Sequence, residues 1–243
     1  MTVNQIVGFV KKYNLSGNGA EQILIKSEKG VGTYAEFHDS QKILVGRVVM
    51  TDELPIENVA IYSTKGFTSM LSALNPEADL VWDTEVNPNG IVTKLIVSDG
   101  RAKVHIACAD PAVIPDVRGL KQIPDWDVVF QPSQDLIKRM VKYQSATGAE
   151  ATAFKVEGGE LTIVTNHSAI NANKITTIVD SEMIESCTDE SFTLAFFAPL
   201  MVSIFANNLD SEIIVRISKR GILNIEAQNA GFESDYKMKP RIV

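Results

Sequence analysis

Cysteine is scarce in this chain. Cys108 and Cys187 are the only two in 243 residues, and neither stands in a Cys-x-x-Cys or Cys/His spacing. That excludes a disulfide framework and a zinc site built on thiolates, and both thiols are expected to be buried. Histidine is nearly as rare. His38, His105 and His167 form no HExxH, no HxH and no pair at helical spacing, so none reads as a catalytic base or metal ligand. The acidic groups Asp39, Asp52 with Glu53, and Glu157 with Glu160 lie near turns, where carboxylates serve local backbone needs. A GxSxG elbow, a GxxxxGK[ST] loop and a strand-GxGxxG-helix context are all missing. The expectation is a protein that is not an enzyme and holds no cofactor or metal.

Long apolar runs are also missing. No stretch approaches the ~20 residues that span a bilayer as a helix. Residues 1–15 place Lys11 and Lys12 after the apolar positions, the reverse of a signal peptide. No membrane partner and a cytoplasmic location are therefore expected. Excess positive charge is lacking as well: 23 Lys and Arg stand against 30 Asp and Glu, a net charge of -7. This argues against a nucleic-acid binder that is basic all over, while leaving room for one basic face on an acidic body.

What the chain does have is an internal repeat. Lys12-Tyr13, Gly19-Ala20-Glu21 and an apolar run at Ile23 recur as Lys142-Tyr143, Gly148-Ala149-Glu150 and a run at Ala153. Further on, Val59, Ile61, Phe67 and Met70 match Leu194, Phe196, Val202 and Phe205 in pattern. Each half reads as two helices and about seven strands. In the first half, Val3, Ile6, Val7 and Val10 share one face of a helix over residues 3–13, and Phe67, Met70, Leu71 and Leu74 one face of a helix over 65–74. Strands are expected at 22–26, 33–37, 43–50, 59–62, 80–83, 91–97 and 103–107, with Asn89-Gly90 and Asp99-Gly100 as hairpin turns.

The second half gives helices over 133–143 and 199–208, the latter opened by Pro199. Its strands are expected at 128–130, 152–156, 161–165, 175–179, 192–197, 212–218, 223–228 and 234–238. The domains are thus 1–109 and 128–243. Pro111, Pro115 and Pro124 mark 110–127 as a connector.

Charge sorts unevenly among these elements. The first helix holds Lys11 and Lys12, the second Lys65, the third Lys138, Arg139 and Lys142 against Asp135, and the fourth nothing. The helices carry a net +5 and the remainder -12. A shared helical face would attract a phosphate backbone without reading bases. Alternatively, these cations only solvate helix exteriors.

Residues 58–80, NVAIYSTKGFTSMLSALNPEADL, resemble the trimeric sliding clamps of large tailed bacteriophages, the processivity factors of their replicative DNA polymerases. So do Ala109-Asp110-Pro111 and residues 135–166, with their helix, glycine turn and paired strands. The likeness is sharpest over 59–75 and poor over 53–56 and 166–188. It implies an α+β fold of two similar DNA-clamp domains, each with two helices packed on antiparallel β-sheet. Three subunits would assemble head to tail into a pseudo-sixfold ring.

The function implied is encirclement of double-stranded DNA, without sequence preference, to tether DNA polymerase. An ATP-dependent clamp loader is the further partner implied, and relatives also serve transcription. Lys11, Lys12, Lys65, Lys138, Arg139 and Lys142 would contact the DNA backbone, with Asn207 and Asn208 as hydrogen-bonding groups on the uncharged helix. Ile114, Val117 and Leu120 with Pro240 and Ile242 would form a pocket for partner peptides, although the same residues suit ordinary interdomain core. Lys103, His105 and Ala107 would pair with Ile175, Thr177 and Val179 of the next subunit by strand addition. Two other readings are a ring-forming phage structural protein with no DNA-sliding role, and an enzyme on the duplicated scaffold.

Overall fold

The structure is a computed structural model that describes residues 1–117, 125–168 and 173–241. It divides into two units: Met1–Ser40, Gly46–Arg118 and Ala230–Glu233 make the first, and Gln41–Val45, Gly119–Asn229 and Ser234–Val243 the second.

In the first unit, α1 (Val3–Asn14) starts at a reciprocal cap. The Thr2 N–H donates to Gln5 Oε1 at 2.7 Å and the Gln5 N–H to Thr2 Oγ1 at 3.4 Å, which satisfies two of the amide groups that a helix start leaves unpaired. Its buried face is Val3, Ile6, Phe9, Val10 and Tyr13. Phe9 and Tyr13 extend the apolar stripe, and Val7 is half-exposed at its border.

The strands β1 (Ile23–Glu28), β2 (Gly32–His38), β3 (Leu44–Met50) and β4 (Asn58–Ile61) follow, and β1 pairs antiparallel with both β2 and β4. Gly32 has φ +101°, and a Cβ there would meet the Met50 carbonyl at 2.2 Å, so only glycine fits. Phe9, Tyr13 and Phe37 link helix to sheet, with ring centroids 5.5 and 6.3 Å apart. Next comes α2 (Thr64–Leu71), capped by Ser63 Oγ accepting from the Gly66 N–H at 3.1 Å. It buries Phe67 and Leu71, with Leu74 just beyond it, but leaves Met70 40% exposed. A second sheet holds β5 (Val81–Val86), β6 (Val92–Ser98) and β7 (Lys103–Ala107) in that order.

Asp99 closes the β6–β7 hairpin. Its carboxylate accepts the backbone N–H groups of Ala102, Asn75 and Arg101 at 2.7–2.8 Å. Those bonds, Ala102 first, hold its carboxyl down at about 2 from an ordinary 3.8. A depressed value means that the stabilisation is complete above pH 4 and disappears as pH falls through about 2. Asp99→Ala is expected to lower the thermal midpoint at pH 7, with the gap to the unchanged protein narrowing as pH is taken from 4 to 2. A gap constant with pH would remove this role.

The second unit repeats the series and adds two strands, one before its first helix and one before the strand that leads into its second. Its elements are β8 (Val128–Phe130), α3 (Gln134–Thr147), β9 (Ala151–Glu157), β10 (Glu160–Thr165), β11 (Ile175–Ile178), β12 (Ile184–Cys187), β13 (Phe192–Phe197), α4 (Ala198–Ala206), β14 (Glu212–Ser218), β15 (Ile222–Gln228) and β16 (Phe232–Met238). β9 pairs with β10 and β13 as β1 does with β2 and β4. A second aromatic chain, Phe130, Phe154 and Phe196, has centroids 6.1 and 6.0 Å apart. Both cores thus use three rings to join their layers.

α3 begins at Ser133, whose Oγ accepts from the Leu136 N–H at 3.2 Å, and ends at Gly148 in the left-handed conformation, φ 62°. One strand departs from the sequence expectation. β12 lies in a stretch with no strand signal, because Ile-Glu-Ser-Cys lacks apolar alternation and its pairing with β8 is bulged between Ile184 and Ser186.

Candidate nucleic-acid interface

α1 packs on α2, and α3 on α4. Lys11, Lys65, Lys138 and Lys142 are exposed on these helices. Arg139 is partly exposed and pairs with Asp135 at 3.0 Å, four residues earlier, which cancels its charge locally. Lys12 departs from expectation. It is 2% exposed, with Nζ 5.2 Å from the centre of the Phe232 ring, so its cation is held against an aromatic face and away from any external phosphate. The exposed cations on the helices are therefore two per unit among the described residues, once the Arg139–Asp135 pair is set aside.

α4 is different in kind. Asn208 is fully buried, and its amide donates to the Ile204 carbonyl at 2.8 Å and to Tyr236 Oη at 3.2 Å. Burial pushes the Tyr236 phenol up to about 12. The Asn207 amide turns back to the Ser203 carbonyl at 2.8 Å. Asn208 is therefore a core residue, unavailable for phosphate contact, and Asn207 is already engaged. The uncharged surface of α4 offers Ala206, with Val202 and Ser203 half-exposed.

Among the described residues, β7 and β11 are each the end strand of a sheet, as are β5, β13, β4 and β12. On β7, the Cys108 N–H donates to the Thr93 carbonyl at 2.9 Å. Antiparallel alternation then turns the backbone groups of Ile106 and Val104 toward β6, and those of Lys103, His105 and Ala107 outward. On β11, the Val179 N–H donates to the Leu161 carbonyl at 2.9 Å. The same alternation turns Ile175, Thr177 and Val179 inward to β10, leaving Thr176 and Ile178 facing out. The β11 edge therefore presents Thr176 and Ile178 in place of the three residues expected from sequence. Ile178 is 59% exposed, which suits a surface awaiting a neighbour.

A cavity of about 300 Å³ lies in the second unit, lined by Gln41, Ile43, Glu150, Phe197, Lys239, Pro240 and Arg241. Arg241 Nη2 meets Glu150 Oε2 at 2.7 Å, and its N–H donates to the Ala195 carbonyl at 2.7 Å, tying the tail down. Of the residues expected at a peptide pocket, Pro240 lines this cavity. Ile114 and Val117 belong to the first unit and are half-exposed, while Leu120 and Ile242 lie outside the described residues. Ile43 and Phe197 also line it, although nothing in their sequence surroundings marks them for a pocket.

Solved structures resemble this chain over its whole length. It has the fold of the PCNA clamps. A. fulgidus PCNA, solved with the C-terminal region of FEN-1 bound, matches at TM-score 0.77 and 11% identity, covering 100% of this chain and 97% of that one. The proliferating cellular nuclear antigen of Entamoeba histolytica gives 0.76 and 13%, with 99% and 96% covered. PCNA from Thermococcus kodakaraensis gives 0.75 and 16%, with 99% and 98% covered. No family model matches the sequence, and no curated protein matches it. The clamp fold is thus an α+β architecture reached here with few residues in common.

Proposed function

We propose that the chain is the protomer of a sliding clamp, three copies of which close head to tail around duplex DNA. The observation that carries this reading is the pair of open edges, β7 and β11, on a chain with the clamp fold. Lys103, His105 and Ala107 of one copy would exchange backbone hydrogen bonds with Thr176 and Ile178 of the next. A contact between two different edges is heterologous, and it closes into a ring when each step turns 120°.

Lys11, Lys65, Lys138 and Lys142 face the duplex in this assembly, giving weak, sequence-neutral contact. The ring tethers a DNA polymerase by linkage, which raises local concentration without tight binding. Partner peptides dock in the cavity floored by Ile43, Phe197 and Pro240. The protein performs no chemistry of its own and depends on an ATP-dependent loader to pass DNA into the ring. The sequence resemblance extends the proposal to a tailed bacteriophage, the host cytoplasm and an accessory role in transcription.

Retention on DNA of different topology tests the reading. Loaded protein should stay on closed circles through gel filtration and be lost within minutes after a single restriction cut. Equal retention on both forms would instead indicate ordinary binding, and a ring that never associates with circles would indicate a structural assembly.

A further inference from the structure

The repeat exposes a difference between corresponding edges. In the second unit, the outer side of β14 is covered by β8, with Val215 opposite Phe130 and Ile217 opposite Val128. Val128 and Phe130 are buried there, and β12 lies beyond. The corresponding strand of the first unit, β5, is the end strand of its sheet. Since Leu95 and Val97 turn toward β7, the backbone groups of Lys94, Ile96 and Ser98 turn toward β5 and bond Glu85, Asp83 and Val81. Those of Leu80, Trp82 and Thr84 point away from the sheet.

Coverage of this outer side begins and then stops. The Leu80 N–H donates to the Met1 carbonyl at 3.0 Å, and Thr2 bridges Asp79. Past that point Val81 is 67% and Val86 58% exposed. The Thr84 N–H is held only by the neighbouring Asp83 carboxylate, at 2.8 Å. An aspartate on an edge strand hinders unselective pairing. A partner cation that drew Asp83 aside would release the N–H for a ladder bond. β5 carries Asp83 and Glu85 and no cation, with Glu77 and Asp79 just before it. Lys94 on β6 pairs with Glu85 at 2.6 Å and the N-terminal ammonium with Asp79 at 3.4 Å, so Asp83 and Glu77 carry the negative charge of this edge.

We propose that β5 is a docking edge that receives an extended, basic segment of a partner protein as an added antiparallel strand. β8 shows the kind of core such a strand needs, a short run of β-branched and aromatic residues. Asp83 and Glu77 favour lysine or arginine beside it, and Asp83, which holds the Thr84 N–H, makes that charge a condition of pairing. This edge is separate from β7 and β11, and the inference does not depend on ring closure.

Two synthetic peptides test it on the full-length protein: KKVVFKK, which places the Val-Val-Phe core of β8 between lysines, and EEVVFEE. Hydrogen exchange should slow at Trp82 and Thr84 by about tenfold or more with KKVVFKK and remain unchanged with EEVVFEE. Asp83→Lys should weaken KKVVFKK binding about tenfold. Thr84→Pro, which removes the outward N–H, should abolish the protection. Asp83 is exposed, so its replacement keeps the test valid even where the proline variant folds poorly. Light scattering run in parallel reports assembly separately. Equal protection by both peptides would overturn the proposal. So would protection confined to 103–107 or 176–178, or protection of β5 by a second copy before any peptide is added.

Discussion

A protein carrying His105→Pro is expected to scatter light as a 26.6 kDa monomer, where the unchanged chain, as the proposed trimer, should give about three times that mass. The His105 backbone points away from β6, so proline there removes no bond within the subunit. It removes a donor from the outer edge and sets a ring in the path of the incoming strand. Thr176→Pro should act in the same way from the other side, because Thr176 faces out from β11. Val104→Pro provides the contrast: its N–H faces β6, so it should damage the fold itself. Polymerase products should fall to the length made without clamp in both edge variants. A trimer that survives both substitutions would place the subunit contact elsewhere.

The second large effect concerns the helices. Changing Lys11, Lys65, Lys138 and Lys142 together to Glu replaces four exposed positive charges per chain by negative ones. In a three-copy ring that is twelve positions turned from attracting phosphate to repelling it. In a primer-extension assay with loader, ATP and polymerase, mean product length should fall by about tenfold or more, with circular dichroism unchanged. Any one of the four changes alone should have a small effect, since exposed charges each contribute little in salt. Lys12→Met should leave product length near that of the unchanged protein, because Lys12 lies against Phe232 and away from solvent. Undiminished products from the fourfold variant would remove the helices from the DNA contact.

Local chemistry made much of this fold legible. The helical stripe of α3, the proline that opens α4 and the Asp99-Gly100 turn each announce themselves within a few residues. The repeat is legible because the elements common to both halves keep the same order, β8 and β12 being additions in the second. What stayed hidden depended on partners distant in sequence. Lys12 reads as a surface cation until Phe232 is placed beside it. β12 becomes a strand only through β8, more than fifty residues earlier. The outward side of β11 follows from one hydrogen bond, Val179 to Leu161, which sets the alternation of the whole strand. A sequence identifies a strand at 175–178 without showing which of its amides are already taken. Asn208 misleads for a similar reason, since its partner Tyr236 belongs to another element.

The bare surface of α4 has a mechanical consequence. In a closed ring the exposed cations would occur in clusters, separated by stretches that offer Ala206, Val202 and Ser203. A duplex could then never engage a continuous lining, and each advance along its axis would trade a few contacts for equivalent ones. Exposed charge contacts are worth roughly 0–1 kcal/mol each, so the barrier to a step would lie near thermal energy. Low friction would thus come from where charge is left out, and the holding force from the closed topology alone.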